Sequence, residues 1–252
     1  MLSLALLIAP VRAQLVPAQL QFEQRLGARL PLQAPFQDEE GRGVRLGEYV
    51  ASRPAIVVLT YFQCPNLCET VLSTLVTRLR RIDLDVGQDF DVVVVSIDPR
   101  DTPAIAARKR SAYAELYERP NAVRGWHFLT AESSSIHELT GAVGFHYARE
   151  EHTAQFLHPA GILLVTPEGR IARYLLGVDF PEQNLRYGLI EASSNRIGSP
   201  ADRIWLLCHR YDGATGKYGS LVESAVRASG MLTLFALGMA IAVWLCQERK
   251  RR

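Results

Sequence analysis

Two cysteines separated by three residues, Cys64 and Cys68 in Tyr61-Phe62-Gln63-Cys64-Pro65-Asn66-Leu67-Cys68, are the side chains of this sequence best suited to do chemistry. A thiolate is both a nucleophile and a soft metal ligand. Two on one face could close into a disulfide if their Cβ atoms approach to about 4 Å. They could equally form half of a site for a thiophilic ion such as Cu(I). The elements around them bear on which chemistry is open. Ala55 to Phe62 is an unbroken apolar, β-branched and aromatic run that reads as a buried strand. Beyond it Leu67, Val71, Leu72, Leu75, Val76 and Leu79 recur at helical spacing, so a helix is expected to start near Pro65. Proline suits a first turn because its missing N–H would go unpaired there anyway. Cys64 then lies at the helix mouth, where the partial positive charge favours thiolate, and Cys68 one turn deeper on the same face. Inert cysteines on a core helix are the plainer alternative, and the strand-to-helix junction speaks against it.

The chain has 252 residues, with 28 basic against 26 acidic ones for a net charge of +2, so nothing in its charge points to nucleic acid. Four cysteines, two of them clustered, do not make a disulfide scaffold. The length allows one large domain with appendages.

Along the chain, Glu40-Gly-Arg-Gly43 between short apolar stretches suggests a hairpin turn, and Leu46 to Val50 a short helix. Residues 14–30 read as a short helix or an arm lying on the domain. Asp91-Val-Val-Val-Val-Ser-Ile97 has the composition of a central parallel strand buried on both faces. Asp98 to Pro103 breaks that strand, and Thr102 before Pro103 predicts the N-cap of a helix running to about Arg119. Trp126 to Thr130 reads as a short strand, Ser133 to Thr140 as a helix, and Phe145-His146-Tyr147 as an edge strand. Phe156 to Val165 and Arg170 to Leu176 flank a Thr-Pro-Glu-Gly turn and predict a hairpin, followed by a last helix over 181–195. This order predicts an α/β sandwich with a central mixed sheet over residues 14–197.

Both ends look like targeting segments. Residues 1–13 hold a short apolar run followed by Val11-Arg12-Ala13, the pattern of a signal peptide cut before Gln14, although the usual basic start is missing. Residues 228–246 carry no charge; at about 1.5 Å per residue they would reach about 28 Å as a helix, enough for the hydrocarbon core. Arg249-Lys-Arg-Arg252 lies within the basic tail 247–252, which the positive-inside rule places in the cytoplasm. The expected arrangement is a single-pass C-terminal transmembrane helix in the inner (plasma) membrane, with the domain facing a periplasm. Residues 198–227 read as an irregular linker, in which Cys208 and His209 are adjacent and read as incidental rather than ligating. No role is assigned to Cys246.

The motifs Tyr61-Phe-Gln-Cys-Pro-Asn-Leu-Cys68 and Ser96-Ile-Asp-Pro-Arg-Asp-Thr-Pro103, with a histidine leading the strand before Pro167-Glu-Gly169, resemble the SCO/SenC copper-chaperone family over roughly residues 26–195. The C-terminal anchor would mark a subgroup, since better-known members are anchored at the N-terminus. The resemblance implies a thioredoxin-like fold and copper held by Cys64, Cys68 and His158. It also implies a role in maturing the CuA centre of cytochrome c oxidase subunit II, as copper donor, thiol reductant or both, with other periplasmic copper carriers or thiol reductants as further partners. Asp98 matches an aspartate the family uses near the site, although loop capping is its safer role. One departure is Leu157-His158-Pro159, where the family usually has an acidic residue before the histidine and an aliphatic or hydroxyl one after; Pro159 biases His158 toward extended backbone.

Two thiolates and an imidazole suit copper on chemical grounds alone, sulfur favouring Cu(I) and nitrogen helping to hold Cu(II). His158 gains its candidacy from its place at a strand start beside the dithiol in this fold; His127, His137, His146 and His152 lack such a place and read as surface or structural. A metallochaperone, not a turnover enzyme, is the first expectation. The alternative is a periplasmic thiol–disulfide oxidoreductase in which Cys64 attacks and Cys68 resolves. A peroxidase would need an Arg and a Thr or Ser behind the cysteine, and Thr60 lies too far upstream. A structural scaffold would leave the dithiol unexplained.

Overall fold

The computed structural model describes residues 20, 22–64 except 51, 67–150 and 155–198, together with scattered positions beyond 210; at 67 and 68 it describes the backbone only. The chain divides into two units, Met1–Ile197 and Gly198–Arg252. The first opens with a small hairpin, β1 (Pro35–Gln37) and β2 (Gly43–Arg45), and a single turn of helix α1 (Gly47–Val50). Buried Asp38 ties the hairpin turn by accepting the N–H groups of Glu40 and Arg42, each at 2.9 Å. Then follow β3 (Ala55–Thr60), α2 (Leu67–Leu79), β4 (Asp91–Ser96), α3 (Pro103–Tyr117), the short α4 (Ala122–Gly125) and β5 (Trp126–Leu129). After α5 (Ser133–Ala142) come the two-residue strands β6 (Ala148–Arg149) and β7 (Phe156–Leu157), then β8 (Gly161–Val165), β9 (Ile171–Leu176) and α6 (Glu182–Ser193).

Five strands form one mixed sheet in the order β5-β4-β3-β8-β9. β3, β4 and β5 run parallel, and β8 and β9 antiparallel to their neighbours. Every residue of β3 and β4 is buried, as their continuous apolar sequences demand of central strands covered on both faces. Alternate side chains serve two cores. Val57 and Leu59 face Ile136 and Leu139 of α5 together with the β1–β2 hairpin and Phe22 of the N-terminal arm. Ile56 and Val58 face Leu72, Leu75 and Leu79 of α2, Tyr113 and Tyr117 of α3, and Leu185 and Leu189 of α6.

Two features close the end of the sheet away from Thr60. Arg119 caps the C-terminal end of α2, its guanidinium donating to the carbonyls of Arg80 at 2.6 Å and Ile82 at 2.9 Å and to Asp85 at 2.8 Å. Gly87, at φ +83°, lies so close to Gly125 that a Cβ on Gly125 would stand 2.2 Å from the Gly87 nitrogen.

The α/β fold with its central mixed sheet matches the sequence expectation, and three details differ. Phe145-His146-Tyr147 is no edge strand of the sheet. Phe145 makes a single bridge to Phe22, and the chain goes on to pair Ala148–Arg149 with Phe156–Leu157 in a separate hairpin. Gly144 turns the chain there at φ +64°, with no room for a Cβ beside the Glu23 carbonyl. The run from Phe156 to Val165 is two strands, not one, interrupted at 158–160. Thr102 does sit at the N-cap of α3 in extended conformation with proline in the first turn, yet its hydroxyl makes no capping bond. Among the described residues no helix is long and apolar enough to cross a membrane. The expected signal peptide (1–13) and Cys208, His209 and Cys246 lie outside the described residues, and so do most positions of 198–227 and 228–246.

Candidate metal centre

The topology gathers the candidate residues at one end of the sheet. β3 and β4 are parallel with Thr60 opposite Ser96, and β8 is antiparallel to β3, so the ends of β3 and β4 and the start of β8 face the same way. Cys64 follows β3, Asp98 and Asp101 follow β4, and His158 precedes β8. Residues 61–64 form a turn in which the Cys64 N–H donates to the Tyr61 carbonyl at 3.4 Å. Cys64 is 7% exposed and belongs to the α5-side core with Tyr61. Cys68 lies in the first turn of α2, as its spacing predicts, while its side chain is outside the described residues. Without that side chain, no group of three or more His, Cys, Asp or Glu among the described residues could hold a metal.

His158 is half-buried and fixed from two sides. Its ring lies 5.9 Å from the Tyr61 ring, the planes at 84°, and 5.9 Å from the Phe145 ring. Its Nδ1 is 2.9 Å from the Pro159 carbonyl oxygen. A carbonyl can only accept, so Nδ1 carries the proton and the neutral ring keeps its lone pair on Nε2. Anchoring one ring nitrogen on a carbonyl is the way proteins orient a metal-binding imidazole toward its ion. Burial pushes the His158 pKa below its ordinary value, and the bond to Pro159 offsets only part of that, so the ring is neutral at neutral pH. Pro159, part of the departure from the family pattern, thus supplies the carbonyl that orients the His158 ring.

An aromatic set surrounds this pair. Phe156 packs 5.6 Å from Tyr61 and 5.8 Å from Tyr147, and the Arg100 guanidinium stands 6.0 Å from the Phe156 ring centre. A groove of about 570 Å³ opens beside it, lined by Ile97, Pro99, Phe145, Tyr147, Arg149 and Phe156 among others.

Asp98 is 2% exposed and wholly engaged with Arg100. It accepts the Arg100 backbone N–H at 2.9 Å and a two-pronged guanidinium contact, Nε at 2.8 Å and one terminal nitrogen at 2.7 Å. Burial alone would raise its pKa; the bonds and charge of Arg100 outweigh it and hold the carboxyl below its ordinary value. It caps its loop, as the safer expectation had it. The carboxylate that reaches the cysteine turn is Asp101, which sequence reasoning missed. Its Oδ2 accepts the Phe62 N–H at 2.7 Å and the Ser96 hydroxyl at 2.6 Å, and its Oδ1 the Gln63 amide at 3.2 Å.

Of the other histidines, His127 packs on Tyr49 at 4.4 Å near Glu39, His137 and His146 are exposed and line the groove, and His152 is outside the described residues.

A model of the SCO1/SenC family matches residues 27–187. No curated protein matches the chain. Among solved structures, a candidate electron transfer protein from Aquifex aeolicus VF5 is similar at 23% identity and TM-score 0.61, over 70% of this chain and 98% of that one. Arabidopsis thaliana ScoI, solved with copper bound, is similar at 19% identity and TM-score 0.53, over 68% of this chain and 99% of that one. BsSco, described as a member of the Sco family of cytochrome c oxidase assembly proteins with a disulfide switch, is similar at 20% identity and TM-score 0.52, over 69% of this chain and 98% of that one. At these identities the likeness is one of fold.

Proposed function

The chain belongs to the SCO1/SenC family, and on that premise we propose that it is a copper-binding assembly factor whose cargo is held by Cys64, Cys68 and His158. The observation that carries this reading is the fixing of His158. Its Nδ1–H is anchored on the Pro159 carbonyl and its ring is braced on Tyr61, the residue that opens the Cys64 turn. A neutral imidazole and two thiols make a donor set for copper, the sulfurs suiting Cu(I) and the nitrogen helping to retain Cu(II). A solved family structure with copper bound, Arabidopsis thaliana ScoI, supports the choice of metal. The description of BsSco as one of the cytochrome c oxidase assembly proteins supports the process.

In this reading copper passes through the site as cargo. Cys64 and Cys68 bind it as thiolates and His158 completes the donor set through Nε2. The acceptor is the CuA domain of cytochrome c oxidase subunit II, whose cysteines the same dithiol could also reduce. The domain works on the periplasmic side of the inner membrane, tethered through residues 228–246. Met231, Leu237 and Met239, described and exposed, are the apolar residues such a tether would turn to lipid.

The test is a copper titration of the reduced protein beside a His158→Ala variant. One copper per chain, with thiolate-to-Cu(II) charge-transfer absorption that collapses in the variant, is the expected outcome. No stable copper, or binding indifferent to His158, together with rapid reduction of a disulfide substrate, would instead make the protein a thiol–disulfide oxidoreductase.

A further inference from the structure

We propose that Asp101 is the positioning residue of the cysteine turn. Its carboxylate is buried, 6% exposed, and its side-chain bonds reach away from α3 to other segments. Two go to Phe62 and Gln63, the residues just before Cys64, and one to Ser96 at the end of β4. The turn's own Cys64-to-Tyr61 hydrogen bond is long at 3.4 Å, whereas the Asp101 bond to the Phe62 N–H is 2.7 Å. An ionised acceptor makes hydrogen bonds about twice as strong as neutral ones, and this one is shielded from water. The bond to the Phe62 N–H also decides which way two rings go. Tyr61 joins the α5-side core and meets His158, whereas Phe62 joins the α2-side core and meets Phe128 at 5.7 Å. Ile97 donates to the Thr60 carbonyl at 2.7 Å, so the ladder between β3 and β4 ends there and the Asp101 clamp takes over. One carboxylate thus couples the turn that carries Cys64 to the loop after β4, and through Tyr61 to His158. In its copper readout this inference rests on the proposed function.

The test replaces Asp101 with Asn in the full chain and reads the thiolate-to-Cu(II) charge-transfer band, the copper affinity and the Cys64–Cys68 disulfide equilibrium against glutathione. Expected are a shifted band, copper affinity lower by about 10- to 100-fold and a changed disulfide equilibrium. A tenfold change there corresponds to about 30 mV. Ser96→Ala, which removes one donor and leaves the carboxylate on Phe62, shifts the same quantities less in the same direction. A folded Asp101→Asn protein with wild-type band and wild-type disulfide equilibrium overturns the proposal. Were Asp101→Asn not to fold, Ser96→Ala decides by the same readings. If the unsubstituted chain takes no copper, the copper reading falls, and the disulfide equilibrium alone supports or overturns the role of Asp101.

Discussion

The rings of His158 and Tyr61 stand perpendicular to each other, centroids 5.9 Å apart and planes at 84°, with Tyr61 three residues ahead of Cys64. An edge-to-face aromatic contact of this kind adds about 0.5–1.5 kcal/mol beyond the area it buries and fixes an angle. Tyr61→Leu keeps most of the apolar volume and loses the ring. It is expected to lower copper affinity about tenfold, that contact being about 1.4 kcal/mol. Tyr61→Phe, which keeps the ring, is expected to lose less. Competition titration with a copper chelator ranks the three proteins, and equal affinities for wild type and Tyr61→Leu would remove the bracing role.

The Asp98–Arg100 pair sets an acid limit. The Asp98 carboxyl has a folded pKa below its ordinary 3.8, because Arg100 outweighs burial. Its stabilising contribution is therefore complete above that ordinary value and is lost as pH falls through the folded one. Arg100→Ala leaves a carboxylate that is 2% exposed without its guanidinium. The expected result is lower stability at neutral pH and an acid-unfolding midpoint moved to higher pH. Denaturant melts between pH 3 and 7 check this, and an unmoved midpoint would show that the pair contributes nothing measurable.

How much of this was legible follows from where the physics is local. β3, β4 and the start of α2 could be placed from sequence because burial on both faces forces an unbroken apolar run and a helix face forces its spacing. The cysteine pair followed from that junction. His158 did not. Phe156 to Val165 is uniformly apolar apart from it, and the interruption at 158–160 that places it between β7 and β8 depends on tertiary packing, so only the family resemblance pointed to it. Phe145 to Tyr147 misled because an aromatic run suits an edge strand, whereas close approach of Gly144 to the Glu23 carbonyl sends the chain elsewhere. Asp101 was invisible for a different reason. A carboxylate in a polar loop has no pattern, and its partners lie 5 to 39 residues away in the chain. Its position one turn-length past a buried strand end was the only available signal.

The Gly87–Gly125 contact is a backbone-on-backbone approach with no flexible atom to yield. A Cβ on Gly125 would meet the Gly87 nitrogen at 2.2 Å and its Cα at 2.5 Å. Gly125→Ala is expected to cost about 3 kcal/mol, the upper range of overpacking. Gly141, in α5, has open space where a methyl group would stand, with nothing within 4 Å, so Gly141→Ala should gain about 0.5 kcal/mol from reduced backbone freedom in the unfolded chain. Paired urea melts give both signs at once, and a neutral Gly125→Ala would mean that the α4–β5 junction can move aside.

The His158 ring carries its own signature in the copper-free, reduced protein. Burial lowers its pKa below the ordinary 6.5, and the bond to Pro159 restores part of the difference. Between the folded value and 6.5 the unfolded chain binds more protons than the folded one, so stability rises with pH across that window. The contribution is fully present above 6.5 and is lost as pH falls through the folded value. An NMR titration of the ring should show a midpoint under 6.5. The stability advantage of wild type over His158→Gln should likewise shrink as pH is lowered from 7 to 5. A midpoint at or above 6.5 would mean that the ring is not held neutral between Tyr61 and Phe145, and the anchored-ligand reading of His158 would lose its basis.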